Sequence, residues 1–113
     1  MAPFATHAFV GASIALAILI CISYRHHDAI KYRLTAVAIG ALWGVVPDVH
    51  HLVPGDRLRI IHDTPWADVF ALHYTLDRPL VRAHPIESLF LSFALFFVLV
   101  VLTEHRRRAI ADA

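Results

Sequence analysis

Three long apolar stretches constrain what this chain can fold into more than any other feature. They cover residues 7–24, 34–53 and 86–103, and a helix needs roughly 17–25 residues to cross a hydrocarbon core about 30 Å thick. A small soluble bundle would need a polar stripe on each helix, which residues 10–22 and 89–102 almost entirely lack. The sequence therefore predicts an all-α, polytopic membrane protein with three transmembrane helices.

The composition of the chain supports a single domain embedded in lipid. Of the 113 residues, 58% are hydrophobic and the mean hydropathy is +0.63, whereas apolar residues make up closer to half of an ordinary soluble domain. This length is enough for one domain, so we expect one membrane domain over residues 1–113. The net charge of +1 is too small to indicate a nucleic-acid partner, and membrane lipids are the expected partners.

A shorter fourth helix is predicted between the second and third spans. Asp63-Thr64-Pro65 is a typical helix start, with an Asp or Thr cap and Pro in the first helical position. From Pro65 to Asp77, apolar and aromatic residues recur at the 3–4 spacing of one helix face. About 13 residues are too few to cross a bilayer. We therefore expect an amphipathic interfacial helix over residues 65–77, with Trp66 and Tyr74 at headgroup level.

Basic residues beside the spans indicate an orientation. Six of them fall on one side of the membrane: Arg25, Lys31, Arg33, Arg106, Arg107 and Arg108. Four others are spread over the longer connection on the opposite side. The positive-inside rule places the first group in the cytoplasm, which predicts an outside N-terminus and a cytoplasmic C-terminus. The sequence leaves open whether the chain forms a homo-oligomer or binds a partner membrane protein.

The second span carries two features that affect its packing. Gly40 and Gly44 form a Gly-x-x-x-Gly pattern, which favours close approach of a neighbouring helix. Pro47 would free the carbonyl of Trp43 from its helical hydrogen bond and bend the helix. We therefore expect a tightly packed helix that changes course just before the polar stretch that follows.

That polar stretch, Pro47-Asp48-Val49-His50-His51, places ionisable side chains near the end of an apolar run. Ionisable groups inside a membrane-length segment are costly, so by default they indicate a functional site. Asp48 and His51 are separated by three positions and share one helix face. His50 is expected to point elsewhere.

Three spans bring the start of the first helix, the end of the second and the start of the third to one membrane face. This holds for either orientation. The polar residues on that face are His7, Asp48, His50, His51, His62, Asp63, Asp68, His73, Asp77, His84 and Glu87. Imidazole and carboxylate groups are ligands of zinc and other divalent metals. We therefore expect a divalent metal site there, for Zn, Mn or Fe.

The expected metal site combines two short units with ligands from other elements. Asp48-x-x-His51 and His84-x-x-Glu87 each present two groups on one helix face. The expected metal ligands are His7, Asp48, His51, His62, His73 and His84. A catalytic metal keeps a position open for water and lowers the pKa of that water, and Asp48, Asp63 or Glu87 would then act as the catalytic general base.

Three functions are open for this site. The first is metal-assisted hydrolysis of a lipid or phosphoester at the membrane surface. The alternative is a non-enzymatic integral membrane protein whose His/Asp cluster packs the helices or binds a partner or a metal. The third is a small metal-binding or transport subunit that needs to oligomerise. The remaining histidines, His26, His27 and His105, are expected to lie outside the site.

Pro47-Asp48-x-x-His51, preceded by an apolar helix and an early His7, resembles a known family. The family is the prokaryotic membrane-bound metal-dependent hydrolases, also called LexA-binding inner-membrane hydrolases. Residues 41–77, with Trp43-Gly44-x-x-Pro47-Asp48, are similar to short archaeal members. The resemblance implies a metal-dependent hydrolase in which His7, Asp48, His51 and His84 are metal ligands. The chain departs from the family pattern at His50, where a second Asp is expected, and at Ala83, where Thr precedes the histidine.

Overall fold

Helices account for the regular structure of the computed structural model, which describes residues 4–52 and 56–113. No strand occurs in these two ranges. Three helical segments are long and apolar enough to cross a membrane: Phe4–Ser23, His27–Val49 and Pro85–Ala111. The prediction of an all-α protein with three membrane-length helices is thus confirmed. The second predicted span ended at Val53, which lies outside the described residues.

The first two spans form the closest helix pair in the structure. Helix α1 covers Phe4–Ser23, a 3-10 helix covers His27–Tyr32, and helix α2 covers Arg33–Val45. Gly40 and Gly44 are both buried on the face of α2 that meets α1. Because neither glycine carries a side chain, the two backbones approach closely, as the Gly-x-x-x-Gly pattern predicts.

The second span changes helix type where the polar stretch begins. Helix α2 ends at Val45, and a 3-10 helix continues over Val46–His51. Pro47 has no amide hydrogen to donate, and the carbonyl of Trp43 instead accepts a hydrogen bond from the amide of Val46. A 3-10 helix has three residues per turn. The side chains of Asp48 and His51 therefore stay one above the other.

Short helical pieces build the connection between the second and third spans. These are α3 (Asp56–His62), a 3-10 helix (Pro65–Val69), α4 (His73–Leu76) and α5 (Pro79–Arg82). Residues 65–77 thus form two short helices instead of the single continuous helix that was predicted. Ala71 and Leu72, with φ of 55° and 62°, interrupt it with left-handed backbone that only glycine adopts freely. As a result, α4 starts in a new direction.

Helix α6, Pro85–Ala111, closes the bundle against α1. The ring of Phe9 lies 5.3 Å from that of Phe93 and 5.5 Å from that of Phe96. At the opposite end, the guanidinium of Arg106 donates to the carbonyl of Ser23 at 3.1 Å. These contacts fix α1 at both ends, and so they also fix the position of His7 in its first turn.

Candidate metal centre

Ionisable side chains from four separate elements converge where α1 begins and the second span ends. They are His7, Asp48, His62, His73 and Asp77. The shortest contacts join His62 Nε2 to Asp77 Oδ2 at 3.1 Å, His7 Nε2 to Asp77 Oδ1 at 3.3 Å and His73 Nε2 to Asp48 Oδ1 at 3.4 Å. Some of the polar groups expected to gather at this end of the bundle therefore do so in the structure. We call these five residues the His/Asp cluster.

The cluster is buried at its centre. His7 and His73 have no exposed surface, and Asp48 and Asp77 are 6% and 8% exposed. Among the described residues, neither carboxylate oxygen of Asp48 has a hydrogen-bond partner. Burying a carboxylate costs several kcal/mol unless it is paired or binds a metal. The donor set therefore suits a cation held by Asp48 and the imidazoles around it.

His73 is oriented by the backbone of the second span. Its Nδ1–H donates to the carbonyl of Gly44 at 3.2 Å, and its ring stacks on that of His7 with centroids 4.0 Å apart. A carbonyl can only accept a hydrogen bond, so Nδ1 carries a proton and Nε2 faces Asp48. In the neutral ring, Nε2 then has a free lone pair, which is the form that binds a metal.

The charge state of His73 follows from its neighbours. Burial by itself lowers the pKa of this imidazole, but the nearby carboxylate of Asp48, the carbonyl of Gly44 and the charge of Asp77 outweigh burial. The pKa of His73 is therefore raised above its ordinary value.

His62 is oriented by a carboxylate in the same way. Its Nδ1–H donates to Asp63 Oδ1 at 2.8 Å, and its Nε2 faces the cluster, 3.7 Å from Asp48 Oδ1. Asp63 is 60% exposed and also lies 3.6 Å from the guanidinium of Arg59. A carboxylate behind a metal-binding histidine fixes the tautomer and raises the basicity of the ligand. Asp63, expected as a general base, is therefore placed to orient His62.

The donor atoms lie close enough together to surround an ion. In the described part of the chain, three sets of three side chains have donor atoms all within 4.8 Å of one another: His7, Asp48 and His73; Asp48, His51 and His62; and His62, His73 and Asp77. Metal–ligand bonds of roughly 2.0–2.2 Å place neighbouring donors about 3–4 Å apart. His51, which is itself exposed, thus belongs to the candidate metal site through the set that it forms with Asp48 and His62.

Two of the predicted site residues lie elsewhere. His84 and Glu87 are 61% and 66% exposed and face each other at 3.7 Å, at the start of α6, and neither belongs to the three sets. The side chain of His50 is outside the described residues. His26, His27 and His105 are exposed, away from the cluster as expected.

Asp77 was not among the predicted ligands, although it lies at the centre of the cluster. It contacts His7, His62 and His73. One signal in the sequence points to it, since Asp77 follows His73 by four positions and such pairs share a helix face. In the structure these two side chains lie 3.8 Å apart.

An apolar groove of about 400 Å³ begins next to the cluster and runs along α1 and α2. Its walls include Gly11, Ile14, Ile18, Ile39, Trp43 and Leu72. Gly11 is one helical turn from His7, and Leu72 directly precedes His73. One end of the groove therefore lies near the cluster. The indole of Trp43 is fixed there by donating to the carbonyl of Val69 at 2.8 Å.

Comparison of the chain with family models, with curated proteins and with solved structures gives no match. The fold and the His/Asp cluster nevertheless define a class of protein. Three helices can cross a membrane, and the cluster lies at the end shared by the start of α1 and the end of the second span. The chain fits a membrane protein with a buried His/Asp centre at the end of the bundle where α1 begins.

Proposed function

We propose that this protein is a metal-dependent hydrolase that acts on a lipid or phosphoester at the membrane surface, similar to the membrane-bound metal-dependent hydrolases. The observation that carries the proposal is the buried carboxylate of Asp48, which lacks a hydrogen-bond partner among the described residues and faces His62 and His73. A helix-packing role would favour hydrogen-bonded polar groups. A metal-binding role explains a carboxylate buried among imidazoles, with Nε2 of His73 at 3.4 Å and Nε2 of His62 at 3.7 Å from Oδ1.

Some residues would be metal ligands, and others would orient those ligands. His7, Asp48, His51, His62 and His73 would bind a divalent cation such as Zn, Mn or Fe. Such a cation lowers the pKa of a bound water toward neutrality and polarises the bond under attack. Of the three carboxylates predicted as bases, only Asp48 lies in the cluster. Asp77, with contacts to three histidines, is the second carboxylate able to accept a proton there.

A substrate with an acyl chain fits the surroundings of the cluster. The groove beside it is walled by α1, by α2 and by residues 68–72 of the connection, and Ile18 and Ile39 in its walls are exposed. In a bilayer, these residues face lipid chains. A chain lying in the groove would bring its polar end near the cluster. The positive-inside rule, applied to Arg25 and the triple Arg at 106–108, would place this reaction on the outer face.

Metal analysis of the detergent-purified protein tests the proposal first. Wild-type protein, supplemented with Zn, Mn or Fe and then desalted, should retain at least one ion per chain. Asp48→Asn combined with His73→Ala should abolish retention. His105→Ala is the matched control, since His105 is exposed on α6, and it should bind metal like the wild type. Absence of bound metal in the wild type would show that the proposal is wrong.

Activity is tested on the metal-loaded protein. Mixed micelles of phosphatidylglycerol and phosphatidylethanolamine, and the soluble diester bis-p-nitrophenyl phosphate, represent the two substrate types. We expect hydrolysis of at least one of them, with loss in the Asp48→Asn, His73→Ala variant. Bound metal without hydrolysis of either would support the alternative, a non-enzymatic metal-binding membrane protein.

A further inference from the structure

We infer that the His/Asp cluster, together with His51, forms a two-metal centre bridged by Asp48, and that its substrate is a phosphoester. The inference rests on the proposed metal-binding function and goes beyond it in the number of ions and the charge of the substrate. It starts from the way the donor sets overlap. The set of His7, Asp48 and His73 and the set of Asp48, His51 and His62 share Asp48 and no other residue.

Asp48 has the features of a bridging ligand. A carboxylate has two oxygens and can bind one ion with each. Both oxygens of Asp48 are buried and lack a hydrogen-bond partner among the described residues. A single ion would need only one of them. The two sets meet at this carboxylate, because Nε2 of His73 in the first set and Nε2 of His62 in the second lie 3.4 Å and 3.7 Å from Oδ1. Oδ1 is therefore the atom that both ions would approach, and Oδ2 is a further donor for one of them.

The two positions differ in their access to water. The first, formed by His7, Asp48 and His73, is completely enclosed, because all three side chains are buried. The second includes His51, which is exposed, and His62, which is partly exposed. Asp77 lies between them, with Oδ1 at 3.3 Å from His7 and Oδ2 at 3.1 Å from His62. The enclosed ion would therefore hold the substrate phosphate and polarise its phosphorus–oxygen bond. The ion at His51 would keep the open positions for water and substrate.

The charge of such a centre indicates the substrate. Asp48 and Asp77 are the only carboxylates among the residues of the three sets, and neutral imidazoles add no charge. Two divalent ions would therefore leave about two positive charges at the site. Two ions about 3.5–4 Å apart are the arrangement that stabilises the attacking and leaving oxygens of phosphoester hydrolysis. An anionic phosphodiester matches this charge, whereas an uncharged carboxylic ester does not.

The reaction that follows is hydrolysis and needs no other reactant. A water at the His51 side attacks phosphorus, the bond from phosphorus to the leaving alkoxide oxygen breaks, and the phosphate keeps the new oxygen. The proton from the water passes to a carboxylate of the cluster and then to the leaving oxygen. The products are a phosphomonoester and an alcohol.

Metal stoichiometry and spectroscopy on the full chain test the inference. Wild-type protein saturated with Mn²⁺ should bind two ions per chain, with an electron paramagnetic resonance spectrum showing exchange coupling between neighbouring ions. His51→Ala should bind about one ion and lose the coupling, because the enclosed position keeps its three ligands. His7→Ala should also lose the coupling, and Asp48→Ala should lose most binding at both positions. His105→Ala should retain two coupled ions.

The possible outcomes separate this inference from the proposed function. One ion per chain at saturation in the wild type would overturn the two-metal centre and leave the proposed metal-dependent function standing. No bound ion would overturn both. Two ions without coupling would overturn the Asp48 bridge. Helix content, measured by circular dichroism for every variant, identifies any that fail to fold. If His7→Ala fails to fold, His51→Ala gives the same test from the exposed side.

Discussion

His7 and His73 stack ring against ring, 4.0 Å apart, although one lies in the first turn of α1 and the other begins α4 beyond the second span. This contact is possible because Gly44 touches both. The carbonyl of Gly44 accepts a hydrogen bond from His73, and its Cα hydrogen faces the backbone of His7. The position of the cluster thus depends on the close packing of α1 on α2.

Gly44→Ala should disturb that packing and the cluster with it. The added Cβ would collide with the backbone carbonyl of His7, which cannot rotate away as a flexible side chain does. Overpacking of this kind costs about 1–3 kcal/mol of unfolding free energy. We expect a lower melting temperature in detergent and a weaker affinity for metal. Thr35→Ala, at an exposed position of α2, is the control and should change neither the melting temperature nor the metal affinity. A Gly44→Ala variant with the wild-type melting temperature and metal affinity would show that this packing does not position the cluster.

Asp63→Asn tests whether Asp63 positions His62 or acts as a base. Loss of the carboxylate behind a metal-binding histidine lowers metal affinity about 10–100-fold, so we expect weaker but still measurable binding by calorimetric titration. Asp28→Asn, an exposed aspartate in the 3-10 helix after α1, is the matched control. If Asp63→Asn leaves affinity unchanged and abolishes hydrolysis, Asp63 is a base and the positioning role is wrong.

Metal affinity should fall as the pH falls, because protons and metal compete for the same nitrogen. The pKa of His73 is raised by Asp48, Gly44 and Asp77 against the opposing effect of burial, so His73 is protonated in the metal-free protein already above pH 6.5, the ordinary pKa of histidine. A metal must displace that proton from Nε2. The apparent dissociation constant should therefore start to rise on acidification at a pH above 6.5. Titrations between pH 5.5 and about 8.5 measure this, and a constant affinity down to 6.5 would contradict it.

Ile39→Phe should block the groove without affecting metal. Ile39 lines the groove, and a phenylalanine there would occupy space that we assign to a lipid chain. We expect a higher KM for micellar phospholipid, unchanged hydrolysis of the soluble diester and unchanged metal content. Ile22→Phe is the matched control, since Ile22 is also exposed on a spanning helix and lies outside the groove walls. Equal effects of both variants would indicate that the groove has no role in binding.

His84→Ala should retain wild-type metal content. The family resemblance implies that His84 is a ligand, whereas the structure places it 61% exposed and beside Glu87. Metal analysis of His84→Ala, next to that of His73→Ala, separates the two expectations. Loss of metal in His84→Ala would show that the start of α6 moves onto the cluster when metal binds.

That His7 and Asp48 lie at the same end of the bundle could be predicted, because it depends only on the order and number of the spans. Two successive spans run in opposite directions, which brings His7 at the start of α1 and Asp48 at the end of the second span to one face. Asp48 and His51 share a helix face at any pitch between a 3-10 and an α-helix. In the structure, His7 lies near Asp48, and Asp48 lies near His51, as expected. The number of spans also predicts that His84 and Glu87 lie on that face, but a shared face does not fix the distance between side chains.

The path of the connection could not be predicted, since no residue in it signals the turn at Ala71 and Leu72. Alanine and leucine both favour right-handed helix, and left-handed backbone costs each roughly 1–2 kcal/mol. Local preference therefore predicted one helix over residues 65–77. Contacts with the second span, among them the hydrogen bond from Trp43 to the carbonyl of Val69, hold the chain in the less favoured conformation. That conformation directs His73 and Asp77 into the cluster.

The cluster draws its side chains from the start of α1, the end of the second span and the connection beyond it, and this order has a consequence for biosynthesis. His7 leaves the ribosome early, and Asp77 follows only after two spans have been made. No ion can be fully coordinated before both spans are inserted and the connection has folded back over them. If the cluster binds metal as proposed, metal loading would be a late step of assembly, and a chain that carries its full complement of metal would have completed the insertion of its first two helices.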